Sequence, residues 1–164
     1  MIIGVGTDIL SLARLQAFSP SRLVRLSRRI LTERERDDLH IHTQKSEHVE
    51  DDAFSKAQLE RMSRFLGVRW AAKEAIYKAL YPSHRATWKD IEVLPLQYRV
   101  SDANSTPQDS HSKAAMPLSD KLVASFPKLP RITYRDSTLT SLNVHLSISH
   151  DAGIVVAMAL IEGE

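Results

Sequence analysis

Apolar and polar positions along the chain change period several times, and each change marks an element. Ile2 to Ile9 is short, apolar and rich in β-branched residues, and it holds Gly4 and Gly6. It reads as a buried strand whose backbone is closely approached by another group, with Asp8 at its exit. Leu23, Leu26 and Ile30 then recur at helical spacing among arginines, which predicts an amphipathic helix with one basic face. Thr32 and Glu35 form a capping box that starts a further short helix. From His40 to Asp52 the periodicity disappears, which predicts a loop, and Asp52 is placed to cap the next helix.

The strongest helical pattern runs from about Phe65 to Leu80. At about 100° per residue, Phe65, Val68, Ala72, Ile76 and Ala79 share a core face. Trp70, Glu74 and Lys78 form a stripe opposite it, and Lys73 lies between the two faces. Pro82 ends this helix, and Lys89–Leu94 and Tyr98–Val100 read as short strands around Pro95. Ser101 to Ser119 is polar with almost no large apolar residue, which predicts a surface loop. Val144, Leu146 and Ile148 alternate with His145, Ser147 and Ser149 before the turn residues His150-Asp151-Ala152-Gly153 and the apolar run Ile154–Ile161. That is a hairpin. Strands at both ends with helices between them predict an α+β fold, with residues 1–164 forming one domain and insertions near 40–52 and 101–119.

Composition narrows the function. No apolar run approaches the roughly 18 residues of a membrane helix. With no cysteine, disulfides, thiol nucleophiles and cysteine-ligated metals are excluded. The chain has 164 residues and a net charge of only +2. Affinity for acidic partners must therefore come from local clusters. One is Arg22, Arg25, Arg28, Arg29, Arg34 and Arg36; the other is Arg69, Lys73 and Lys78 around Glu74. Met1 opens into Ile2-Ile3-Gly4 with no signal-peptide pattern, so an intracellular protein is expected.

Few motifs carry chemistry alone. Asp8 at a strand end can bind Mg²⁺, act as a base or cap a helix, and capping is the commonest of the three. Glu74, opposite its helix's core face, reads first as a solvated partner of Lys78. Lys73 and Lys78 beside it raise another reading, because hard cations take one or two carboxylates plus phosphate oxygens and lysines can hold the remaining charge. Ser147-Ile148-Ser149-His150 is a polar strand face ending in a turn histidine, without the Gly-x-Ser-x-Gly elbow of a hydrolase. Gly4-x-Gly6 lacks a dinucleotide fingerprint's third glycine. The Arg22–Arg36 cluster lacks interleaved aromatics, so an acidic protein surface suits it as well as nucleic acid.

Taken in order, Gly4-Val5-Gly6-Thr7-Asp8-Ile9 with Arg14, Arg29-Ile30-Leu31-Thr32 with Glu35, Arg69-Trp70-Ala71-Ala72-Lys73-Glu74-Ala75 with Lys78, and Ser147-Ile148-Ser149-His150 bracket nearly the whole chain. The sequence resembles the 4′-phosphopantetheinyl transferases, specifically the small holo-acyl-carrier-protein synthase type. The resemblance implies that family's fold: a small, mostly antiparallel sheet packed with helices, one of them long and central. It implies Mg²⁺-dependent transfer of 4′-phosphopantetheine from coenzyme A to a serine of apo-acyl carrier protein, releasing adenosine 3′,5′-bisphosphate. Asp8 and Glu74 would hold the Mg²⁺, for which Mn²⁺ is a chemically suitable substitute. Glu74, directly or through a metal-bound water, would be general base; Arg69, Lys73, Lys78, Ser149 and His150 would bind coenzyme A. Arg14, Arg22, Arg25 and Arg29 would meet the carrier protein, and the chain would be a homotrimer with sites between subunits. Membrane partners are not expected, nor nucleic acid.

The chain departs from that family in three places. Leu80-Tyr81-Pro82-Ser83-His84-Arg85 stands where bacterial members have glycines, so nucleotide contacts there do not carry over. The Gly-x-Pro segment before the late motif survives only loosely as Lys128-Leu129-Pro130, and the chain is longer than the compact bacterial form. The added length resembles the fungal mitochondrial branch, so the location implied is mitochondrial if the chain is of that branch and cytoplasmic if it is bacterial. The alternatives are a basic protein- or nucleic-acid-binding module built on Arg22–Arg36, or another phosphate-handling enzyme on the same carboxylates.

Overall fold

A computed structural model describes residues 1–43, 54–95, 122–128 and 140–164, with backbone alone at 133–134 and 137–138. Its elements run β1 (Ile2–Ser11), α1 (Ala13–Gln16), α2 (Pro20–Ile30), α3 (Glu33–Thr43), α4 (Lys56–Leu80), β2 (Glu92–Pro95), β3 (Leu122–Ser125), β4 (Thr133–Tyr134), β5 (Ser137–Thr138), β6 (Leu142–Asp151) and β7 (Ile154–Gly163). The expected α+β architecture is present. β1, β7 and β6 form an antiparallel sheet in that order, while β2–β3 and β4–β5 are separate ribbons.

α4, 25 residues long, is the axis of the molecule. It begins well before the periodicity at Phe65, and Ser55 caps it in a reciprocal box with Gln58. Asp52, expected as that cap, lies outside the described residues, as do Tyr98–Val100, the 101–119 segment and most of the 40–52 segment. α3 extends to Thr43, so the loop expected from His40 starts later. Lys89 and Asp90 precede β2 in a turn instead of opening a strand. There Asp90 accepts from the Thr87 N–H at 2.6 Å and the Lys89 ammonium donates to the Arg28 carbonyl at 2.9 Å.

Small residues bring the sheet onto α4. β1 pairs with β7 so that Gly6 faces Ala159 and Asp8 faces Ala157 across the ladder. A Cβ on Gly4 would lie 2.1 Å from the Ala79 carbonyl oxygen, and one on Gly6 would lie 2.0 Å from that of Ala75. The sequence inference of close backbone approach is therefore met by the helix itself. The β6–β7 hairpin turns at Ala152 and Gly153, with φ of 47° and 78°, as a two-residue loop that matches the strand twist. The sheet's inner face, including Leu10, Val155, Ala157, Ala159 and Ile161, is buried against α4. β1 is buried on one face only, since Val5 and Ile9 join Ile154, Val156 and Met158 on an exposed outer face.

The seam gives a direct test. Gly6→Ala puts a methyl group into helix backbone, which cannot yield as a side chain would, and should cost roughly 3 kcal/mol. Chemical denaturation measures this, and a near-neutral effect would contradict the described approach of β1 to α4.

Candidate active site

Asp8 sits on β1's inner side, and Glu74 and Lys78 lie one turn apart on α4. The Gly4–Gly6 seam brings these elements together. Lys78 donates from its ammonium to Asp8 Oδ1 at 2.8 Å and to the Thr7 carbonyl at 2.9 Å. Glu74 is half-buried, and its pKa is raised above the ordinary glutamate value of 4.5. Partial burial is the main cause, the neighbouring Asp8 carboxylate adds to it, and Lys78 opposes both. Two carboxylates and a lysine thus share one partly solvated corner.

Beside that corner lies a cavity of about 350 Å³ lined by Lys73, Glu74, Tyr77, Ala86, Thr87, Trp88 and Ile91. Trp88 packs edge-on against Trp70, with ring centroids 5.5 Å apart. The sequence reading passed over Tyr77 on α4 as well as Trp88 and Ile91, and Trp88 belongs to a turn, whose side chains have no period.

Arg69 and Lys73 are not placed as expected. Both are buried, with 2% and 1% of their surfaces exposed. Lys73 was read as lying between two faces of α4, but the helix is covered on almost every side. Its ammonium donates to Glu35 Oε2 at 2.6 Å, to the Ile30 carbonyl at 2.7 Å and to the Trp88 carbonyl at 2.9 Å. All three protons are used within the protein. Burial pulls its pKa below the ordinary lysine value, with Glu35 resisting. Arg69 donates to Asp38 at 2.6 Å, and its guanidinium lies 3.3 Å from the Phe65 ring centroid. His42 adds a 3.4 Å contact to the same aspartate. In this arrangement both cations are tied to carboxylates of α3, although Lys73 also lines the cavity beside the corner.

Glu35, read in sequence as half of a capping box and as part of the Arg29–Thr32 motif, is a hub. Its Oε2 also accepts the Thr32 N–H at 2.7 Å, and its Oε1 accepts the Val93 N–H at 2.9 Å. Spacing offered a signal for the pairing: Glu35 and Asp38 are three apart on α3, and Arg69 and Lys73 are four apart on α4.

Ser149 and His150 fall on opposite faces of β6. Ser149 is exposed on the outer face and pairs with Val156, whereas His150 pairs with Val155 on the half-buried inner side. Arg14 is exposed on α1, and Arg22, Arg25 and Arg29 are exposed along α2. Arg22 stacks over Phe18 at 3.7 Å. No group of three or more His, Asp or Glu residues among the described residues could hold a metal. No described helix is long and apolar enough to cross a membrane.

Residues 4–124 match the model of the 4′-phosphopantetheinyl transferase superfamily, and the chain belongs to that superfamily. Within it, the chain is similar to holo-acyl-carrier-protein synthases. The one from Anaeromyxobacter sp. strain K is 30% identical, with 99% of this chain and 98% of that protein aligned. The one from Clavibacter sepedonicus is also 30% identical, over 100% and 98%. A crystal structure of the Bacillus anthracis synthase in complex with CoA (3′,5′-ADP) matches with a TM-score of 0.59 and 25% identity, covering 100% of this chain and 99% of that one. The Plasmodium yoelii synthase shares the fold at a TM-score of 0.61. These curated relatives are bacterial and lend the mitochondrial expectation no support.

The electrostatics fix the sign of a titration. Glu74 should protonate above the ordinary glutamate midpoint in the free protein, as followed by carboxyl-carbon NMR. Asp8→Asn should lower that midpoint by removing the neighbouring negative charge, and Lys78→Met should raise it by removing the cation. Shifts of the opposite sign would show that these three groups do not interact as described.

Proposed function

We infer that the chain is a holo-acyl-carrier-protein synthase, transferring 4′-phosphopantetheine from coenzyme A to a serine of apo-acyl carrier protein. The observation that carries this is the pairing of Asp8 with Glu74 and Lys78 at one corner, in a chain whose relatives with that activity align over nearly its whole length. The donor set suits a hard cation. Two carboxylate ligands with no further protein ligand are typical of Mg²⁺ that takes its other ligands from water and phosphate. When bound between Asp8 and Glu74, Mg²⁺ would neutralise pyrophosphate charge and align the reacting phosphorus.

The chain's own residues supply the rest. Lys78, half exposed, is free to turn its ammonium from Asp8 to the pyrophosphate and offset charge on the departing group. Glu74, directly or through a water, takes the serine proton as Oγ attacks. A bond forms from Oγ to the pantetheine-bearing phosphorus. The bond from that phosphorus to the nucleotide breaks, and adenosine 3′,5′-bisphosphate leaves with the bonding pair. Arg14, Arg22, Arg25 and Arg29 form a solvent-facing basic surface suited to an acidic carrier protein. Of the residues expected on coenzyme A, Lys78, Ser149 and His150 keep that role here, and Arg69 and Lys73 do not.

A homotrimer completes the reading. Val5, Ile9, Ile154, Val156 and Met158 expose a contiguous apolar face of the main sheet, with Ile9 66% exposed. Ser149 lies on that face and His150 on the other, so a site between subunits lets Ser149 serve a neighbouring chain.

Two experiments test this. Incubation with apo-acyl carrier protein, coenzyme A and Mg²⁺ should add one phosphopantetheine to the carrier by intact mass. Chelation, Asp8→Ala or Glu74→Ala should abolish the gain while the variants keep their fold. Nucleic-acid binding with no coenzyme A dependence would favour the basic-module alternative instead, and a different product would favour another phosphate-handling enzyme. For assembly, sedimentation should show a trimer that Val156→Lys dissociates; a monomeric wild type would sink the trimer.

A further inference from the structure

Lys73 lines the cavity beside Glu74, yet its ammonium is spent on three protein acceptors that come from three separate segments. Ile30 is the last residue of α2, the helix that carries Arg22, Arg25 and Arg29. Trp88 is a wall of the cavity beside Glu74. Glu35 belongs to α3, and its other oxygen holds the start of β2 through the Val93 N–H. Glu74 is the next residue after Lys73 on α4. One buried ammonium therefore sets where the arginine helix ends, where the cavity wall stands and where the proton acceptor begins.

We propose that Lys73 is a positioning residue that fixes the carrier-facing helix and the cavity wall relative to Glu74, and that it does not bind phosphate. This rests on the synthase reading above. Transfer requires the carrier serine, held by one surface, to meet a phosphorus held by another. An error of about 1 Å between such parts can cost on the order of a hundredfold in rate. Lys73 is suited to prevent that error, because an ammonium with three fixed acceptors admits one arrangement of their backbones. Lys89 reinforces it from the surface, donating to the Arg28 and Leu31 carbonyls at the same end of α2.

Removing Lys73 alone leaves Glu35 charged and buried, so Lys73→Met can fail to fold. The informative protein is the double variant Lys73→Met/Glu35→Gln, in which no buried charge is orphaned but the ties to Ile30 and Trp88 are gone, with Glu35→Gln alone as the control for the Thr32 or Val93 N–H bond that the amide cannot accept. For the folded double variant we expect kcat/KM for the apo-carrier to fall by roughly tenfold or more. Its affinity for adenosine 3′,5′-bisphosphate, measured by calorimetry, should stay within about twofold of wild type, a difference of only about 0.4 kcal/mol. A matching loss of affinity for that nucleotide would make Lys73 a phosphate ligand and overturn the proposal. Unchanged activity per folded molecule would reduce Lys73 to a purely structural role and overturn it equally. Failure of even the double variant to fold would do the same, since the fold itself would then be what Lys73 sustains. An inactive wild type would instead remove the synthase reading, which separates the two failures.

Discussion

The buried contact between Lys73 and Glu35 is the constraint around which the rest is arranged. Both side chains are fully buried, so each charge has lost its water and survives only through its partners. Such a pair adds little net stability when whole, yet removing one member typically costs about 3–5 kcal/mol. Its effect is closer to specification than to glue: α2, α3, α4, the Trp88 turn and β2 must all arrive together for every donor and acceptor to be satisfied. Arg69 and Asp38 repeat the arrangement one turn earlier on α4, so the two helices are locked in register by two rungs.

The opposite side of α4 is held by different physics. Where α3 meets it with charge, the main sheet meets it with the absence of side chains at Gly4 and Gly6 and with the small Ala75, Ala79, Ala157 and Ala159. Close backbone approach brings β1's carboxylate to Glu74, where it adds to the cost of ionising the glutamate. The Asp8–Glu74 corner thus depends on two unlike interfaces, one buried and polar, the other tight and apolar. Lys78, on the surface between them, is half exposed and bonded to Asp8 and the Thr7 carbonyl.

Elements with a clear period were legible in the sequence: the β6–β7 hairpin with its turn at Ala152-Gly153, the arginine helix and the second half of α4. Their register follows from burial of one face. Asp8, Glu74 and Lys78 were legible as a set only through the ordered motifs, since each alone reads as a surface residue. Arg69 and Lys73 were misread because charge predicts exposure on average, and only the opposing helix shows that a carboxylate awaits each of them. The first turns of α4, capped by Ser55, were missed because Lys56 to Arg64 has too few apolar residues to show a period. The Trp88 wall belongs to a turn, whose side chains follow no repeat.

The two tryptophans are the only ones in the chain, and they touch each other. Trp88 forms part of the cavity and Trp70 backs it from α4. The tryptophan emission of this protein therefore comes from one place, the wall beside Glu74. The molecule carries a built-in optical reporter there, so filling of the cavity can be followed by light, without label or substitution.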